Sequence, residues 1–188
     1  MKKLLVALLF TVLLASVVQA QIFPTESEGA EDGGVNGNAL AIIGIAIAVV
    51  LAGIGSAIGI TISASYGLGA MHDNPDLFPQ VLLLSALPGT QGIYGFVVGF
   101  LILLWSGIFG GGEPLTVARG WWFLFAGMPI GFSGLISGIY QGKVCATGIG
   151  LTVKDKAHVA KGMTLAAFVE FYAILGLLAS VLVLLNIR

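Results

Sequence analysis

Glu170 is an acid inside a run that is otherwise apolar, Gly162-Met-Thr-Leu-Ala-Ala-Phe-Val-Glu-Phe-Tyr-Ala-Ile-Leu-Gly176, and apolar residues continue to Leu185. No other acid lies inside an apolar stretch beyond the leader. A charge at the centre of a bilayer costs about 2.5–3.5 kcal/mol on insertion scales, so such residues mark ion or proton pathways. A second polar cluster sits at Leu87-Pro88-Gly89-Thr90-Gln91-Gly92-Ile93-Tyr94. Leu87, Thr90, Gln91 and Tyr94 fall at helical spacing and share one face. Pro88 removes a backbone donor, would leave the Leu84 carbonyl unpaired, and with Gly89 loosens the local ladder. Gln141 joins them by position. The midpoint between residues 141 and 170, position 155.5, falls inside the Lys154–His158 segment, so the two lie at one membrane depth if that segment is a turn. A carboxylate, two amide oxygens, a hydroxyl and a backbone carbonyl form an all-oxygen cage of the kind hard cations prefer. One carboxylate neutralises one monovalent ion. A proton would need Glu170 alone, and polar side chains that only tie helices together would also fit the pattern.

The elements that must hold these residues are membrane helices. The chain is 57% hydrophobic and 9% charged, against about 25% charged in soluble domains. Mean hydropathy is +1.04. Net charge is −1, and no basic patch offers itself to nucleic acid. The 28 glycines show no triplet period. Four apolar segments are expected to span, at Ala39–Ala70, Phe78–Phe109, Trp121–Thr152 and Ala160–Asn186. The connections are short, so neighbouring helices are antiparallel and the fold class is all-α: two hairpins, residues 39–109 and 119–186. Residues 1–20 read as a signal peptide, with Lys2 and Lys3 before an apolar core and a small-residue cleavage site at Val18-Gln19-Ala20. Residues 21–38 read as an acidic, flexible, non-cytoplasmic lead-in. Lysines in the 153–159 loop favour the cytoplasmic side. That places loops 71–77 and 153–159 inside and both mature termini outside.

Several residues are expected to do nothing chemical. The single cysteine, Cys145, rules out an internal disulfide and reads as a small packing residue. His72 and His158 sit in loops without an acid at ligand spacing and read as ordinary loop residues. Lys143 lies near Gln141 at an awkward depth, where it either snorkels or faces an interior space. No Gly-rich phosphate loop ending in Gly-Lys-Ser/Thr occurs, so nucleotide chemistry would belong to another chain.

The two hairpins are related. A shift of 81 positions carries Ser56 onto Ser137, Gly67 onto Gly148, Ile93 onto Ile174 and Gly95 onto Gly176. It also carries Gly53, Ala57, Thr61, Ser65 and Gly69 onto Gly134, Gly138, Gly142, Ala146 and Gly150. Small residues every fourth position let helices approach closely in lipid. The pattern fits a compact four-helix bundle or, more sharply, first and third helices that form the crowded inner layer of a large ring, and periodicity alone does not choose between them. The same shift puts Gly89 on Glu170, so only the second hairpin carries the acid.

Three strings, Leu-Pro-Gly-Thr-Gln-Gly-Ile-Tyr-Gly-Phe (Leu87–Phe96), Ser-Gly-Ile-Tyr-Gln-Gly-Lys-Val (Ser137–Val144) and Val-Glu-Phe-Tyr-Ala-Ile-Leu-Gly (Val169–Gly176), resemble the proteolipid K subunits of bacterial V-type (V/A-type) rotary ATPases, the sodium-transporting branch in particular. The likeness covers the chain after its leader. It implies a rotor ring of identical subunits in the bacterial inner membrane, turning against a stator subunit and attached to central-stalk subunits. It implies Glu170 as the carrier of Na+ or H+, with Thr90, Gln91 and Gln141 as side-chain ligands, Leu87 giving its carbonyl, and Tyr94 holding the carboxylate. It implies no organic cofactor and no chemistry by this chain on its own. Phe171 stands where the sodium-type pattern has threonine, and the leader and acidic extension are additions. A stand-alone four-helix channel and a purely structural tetraspan protein are the competing readings. The first calls for more continuous pore-lining polarity; the second leaves Glu170 unexplained.

Overall fold

In the computed structural model residues 36–187 are described, so the signal-peptide reading of 1–20 and most of the 21–38 segment lie outside the described residues. Four helical spans are long and apolar enough to cross a membrane: α1 (Gly37–Asp73), α2 (Pro75–Trp105), α3 (Val117–Lys154) and α4 (Lys156–Ile187). No strand occurs among the described residues. The all-α, two-hairpin architecture is as expected, with each helix a few residues offset from its predicted bounds.

The cytoplasmic-side loops expected at 71–77 and 153–159 shrink to one non-helical residue each. Asn74 (φ −143°, ψ 84°) joins α1 to α2, and Asp155 (φ −156°, ψ 119°) joins α3 to α4. Both turns continue directly into a 3-10 turn, Pro75–Leu77 in one hairpin and Lys156–His158 in the other. Positions 74 and 155 are 81 apart, so the repeat read from sequence is a repeat of backbone geometry. An exposed ion pair of 3.9 Å, Lys156 to Asp76, joins the two turns and puts them at one end of the bundle. The α2–α3 connection is longer and turns through Gly107 (φ 75°) and Gly111 (φ 66°), where a side chain would be strained.

α1 and α3 each depart from regular geometry at matching depth. α1 carries a π turn at Ile47–Leu51. α3 carries Pro129, and the neighbouring Ile130 N–H donates to Ser180 Oγ at 3.1 Å. The two sites coincide under the 81-residue shift.

α1 and α3 approach closely through their small residues. A Cβ on Gly55 would lie 2.5 Å from the Gly134 carbonyl oxygen, and one on Gly142 would run into the Gly59 backbone. Gly134, Gly138, Gly142 and Ala146 of α3 are buried as the stripe requires. The stripe expected on α1 is not the one used. Ala57, Thr61, Ser65 and Gly69 are exposed, while Ala52, Gly55, Ser56, Gly59, Ser63 and Gly67 are buried instead. Packing one repeat on the next brings together unlike faces, so the stripe of α3 meets a different face of α1 rather than its own counterpart.

Candidate functional site

Two apolar clusters bracket one polar layer. Toward the short turns, Leu77, Val81, Leu84, Cys145, Ile149 and Ala166 pack together. Toward the other end, Val98, Ile102, Phe123, Ala126, Ile130 and Leu184 do the same. Cys145 is a buried free thiol within the first cluster, as read from sequence. Between the clusters lie Gln91, Gln141, Tyr94 and Glu170.

The polar layer is built by three helices. α2 tightens to a 3-10 turn at Leu87–Gly89, around Pro88, before resuming as a regular helix at Thr90. That puts Gln91 and Tyr94 on the inward face. Gln91 and Gln141 are both 0% exposed. Gln91 Nε2 donates to Gln141 Oε1 at 2.6 Å. Gln141 Nε2 donates to Glu170 Oε2 at 3.3 Å and to the Ala166 carbonyl at 3.2 Å. The Tyr94 hydroxyl donates to Glu170 Oε1 at 2.8 Å. The depth match between Gln141 and Glu170 is therefore a direct hydrogen bond.

Thr90 and Leu87 sit one turn along. Thr90 Oγ1 donates to the Leu87 carbonyl at 3.0 Å, and Thr90 also faces Tyr94. Each of the six residues singled out from sequence thus lies in or beside one layer. Four form a continuous network and two form their own pair. Two participants carried no readable signal. The Ala166 carbonyl is a backbone group, invisible in residue type. Ser56 Oγ accepts the Gly92 N–H at 2.7 Å beside the Pro88 break, a role that only the packing of α1 on α2 creates.

Within the Gln91–Gln141–Tyr94–Glu170 network one side-chain oxygen is left over. Gln91 Oε1 is buried and has no hydrogen-bond partner. Burying an amide oxygen unpaired costs about 1–3 kcal/mol. An amide oxygen with open lone pairs has the donor chemistry that suits a hard cation. Among the described residues no group of three or more His, Cys, Asp or Glu side chains forms a metal cluster. His72 and His158 lie at the turns and outside the polar layer. Lys143 is exposed, with Nζ 4.7 Å from the Tyr140 ring centroid, so its charge rests on an aromatic face.

A family model described as the C subunit of ATP synthase matches the chain twice, at residues 43–102 and 124–183. The two matches begin 81 residues apart, which is the repeat found above. The chain is 44% identical over 150 residues to the V-type sodium ATPase subunit K of Enterococcus hirae, covering 80% of this chain and 93% of that protein. It is 42% identical to the A-type ATP synthase subunit K of Methanocaldococcus jannaschii, over 79% of this chain and 64% of that protein. A 16 kDa proteolipid of the V-type proton ATPase of Nephrops norvegicus is 28% identical over 74% of this chain and 86% of its own length.

Proposed function

The chain belongs to the family of ATP synthase C subunits, and from that premise we propose a sodium-carrying rotor role centred on Glu170. It is an ion-carrying rotor proteolipid of a V/A-type rotary ATPase, a membrane subunit without catalysis of its own. The finer assignment is as follows. Na+ binds at Glu170 with oxygen from Gln91, Gln141, Thr90 and the Leu87 carbonyl, while Tyr94 keeps the carboxylate aimed at the site. The observation that carries this reading is the buried, unpartnered Gln91 Oε1 beside a carboxylate already held from two sides.

The cycle follows from electrostatics. With Na+ bound, or with a proton in its place, Glu170 is neutral and can pass through lipid as the ring turns. Uncharged passage avoids the insertion cost of about 2.5–3.5 kcal/mol that a bare carboxylate meets. At the stator, a fixed positive charge supplied by another subunit weakens cation binding and lets the ion exchange. Central-stalk subunits couple the rotation to nucleotide chemistry elsewhere in the complex. The subunits form a ring in the bacterial inner membrane, with the Asn74 and Asp155 turns cytoplasmic.

The test is labelling of Glu170 by a hydrophobic carbodiimide in membranes, with and without sodium at fixed pH. Carbodiimides attack protonated, membrane-buried carboxyls. Protection by sodium is expected, because the ion displaces the proton. Efficient labelling that ignores sodium would make the chain a proton carrier. Absence of labelling would overturn Glu170 as the exchanging acid.

A further inference from the structure

The end of the bundle away from the Asn74 and Asp155 turns is finished differently in the two hairpins. In the first, the α2–α3 connection closes over it. Asn38 Oδ1 accepts the Leu115 N–H at 2.9 Å, and Gly37 lies against the backbone of Leu115 and Thr116. Under the 81-residue repeat Asn38 corresponds to Arg119 and Ala41 to Trp122. Asn38 is spent inside the fold and Ala41 is 0% exposed. Arg119 and Trp122, in contrast, are both exposed. Arg119 uses its backbone N–H, which donates to Thr116 Oγ1 at 3.4 Å, and no carboxylate among the described residues pairs with its guanidinium. It stands in the first turn of α3, where the helix dipole disfavours a cation. The stability of the helix therefore does not account for it.

Two hollows adjoin this guanidinium. One, of about 240 Å³, is walled by Trp105, Phe123, Leu184 and Ile187. The other, of about 350 Å³, is lined by Trp122, Asn186 and again Ile187. The α2 span ends at Trp105, the α3 span begins at Val117 and the α4 span ends at Ile187, so the hollows sit where three spans leave the hydrocarbon. All three tryptophans of the chain, Trp105, Trp121 and Trp122, stand at this end, as suits residues of the membrane–water interface.

We propose that Arg119, Trp122 and Asn186 hold the phosphate of a phospholipid with a net negative headgroup, whose glycerol and upper acyl chain lie along Trp105 and Ile187. The guanidinium fork matches two phosphate oxygens, and the Trp122 indole and Asn186 amide add neutral donors. A zwitterionic headgroup would bring its own cation and leave Arg119 uncompensated. The competing occupant is the acidic segment ahead of α1, residues 26–34, Glu-Ser-Glu-Gly-Ala-Glu-Asp-Gly-Gly. It carries charge but no large apolar side chain, so it would leave the walls of the first hollow bare, whereas a phospholipid brings both. The proposal goes beyond the rotor reading and does not depend on which ion Glu170 carries.

The test reconstitutes the full chain, in its native assembly, into phosphatidylcholine vesicles and titrates in phosphatidylglycerol or phosphatidylcholine with brominated acyl chains. Bromine quenches tryptophan on contact, and all three indoles report from this end. Phosphatidylglycerol should reach half-maximal quenching at about tenfold lower mole fraction than phosphatidylcholine, the worth of charge-assisted hydrogen bonds to one phosphate. Arg119→Gln should remove that preference and Arg119→Lys should keep part of it. Equal quenching by the two lipids in the unaltered chain, or a preference that survives Arg119→Gln, would overturn the proposal. Inorganic phosphate on both sides of the vesicle should not compete more than chloride at the same ionic strength. If it does, the site belongs to a soluble phosphate and the lipid assignment falls. Glu31→Gln with Asp32→Asn should leave the preference in place, and a preference that emerges only in that variant would give the site to the acidic segment instead.

Discussion

The two hairpins share one backbone plan and solve the same depth of the membrane differently. In the first, Pro88-Gly89 interrupts α2 with a 3-10 turn, and Ser56 Oγ takes the Gly92 N–H. In the second, the counterparts are Val169 and Glu170, α4 runs unbroken from Val159 to Ile187, and Ser137 Oγ is unpartnered. The first hairpin contributes distorted backbone at this depth, Gln91 and Tyr94; the second contributes Gln141, the Ala166 carbonyl and the charge. Neither alone makes the site, because Tyr94 and Gln91 of the first reach Glu170 and Gln141 of the second.

The sharpest way to break this comparison is to move the acid. Glu170→Gln should abolish ATP-driven sodium uptake in reconstituted vesicles while multimers persist on native mass measurement. Adding Gly89→Glu to that variant should not restore transport. Under the repeat, Ile60 stands where Gln141 stands and no counterpart of Tyr94 is polar, since Leu175 occupies that place. Restored uptake would show that the hairpins are interchangeable after all.

The next largest effect concerns the amides. Gln91→Leu or Gln141→Leu removes an oxygen and strands a buried partner, a loss of about 1–3 kcal/mol. Sodium protection against carbodiimide should then need about 5- to 150-fold more sodium. An unchanged sodium requirement would assign these residues to helix packing only. Tyr94→Phe removes one hydrogen bond to a charged group, about 1.5–3 kcal/mol, part of which is regained from Gln141 Nε2. Sodium should bind about tenfold more weakly while coupling survives, and complete loss of coupling would place Tyr94 among the exchanging groups.

The smallest effects separate the serines. Ser56→Ala strands the Gly92 N–H and should lower the stability of the chain by about 1–3 kcal/mol in a detergent–denaturant titration. Ser137→Ala, which loses no hydrogen bond inside the chain, should change that titration by less than about 0.5 kcal/mol. Equal costs would mean the two hairpins bear the same internal strain.

Much of this molecule is legible in one dimension. Apolar length alone places four spans, because lipid leaves the backbone no alternative to helix. Glu170 stands out because a lone acid in such a run is too costly to be incidental. Gln141 could be matched to it because antiparallel helices joined by a short turn share depth at equal distance from that turn, and the 3.3 Å hydrogen bond between them follows. The 81-residue repeat surfaced in sequence and returned as paired turns at Asn74 and Asp155.

Tertiary structure alone decided three things. The face of α1 that meets α3 is Ala52, Gly55, Ser56 and Gly59, and not the stripe at Gly53, Ala57 and Thr61 that the repeat singles out. A repeat relates like to like, whereas stacking one repeat on another joins the front of one to the back of the next. The direction of each amide was also set by packing, with Gln141 spending its nitrogen on Glu170 and Ala166 and leaving Gln91 Oε1 open. Side-chain type names the donors and acceptors, but only the neighbours in space determine which remain free. The part played by Ala166 was settled in the same way, since a backbone carbonyl has no letter in the sequence and becomes a binding group only where a helix brings it to a buried donor.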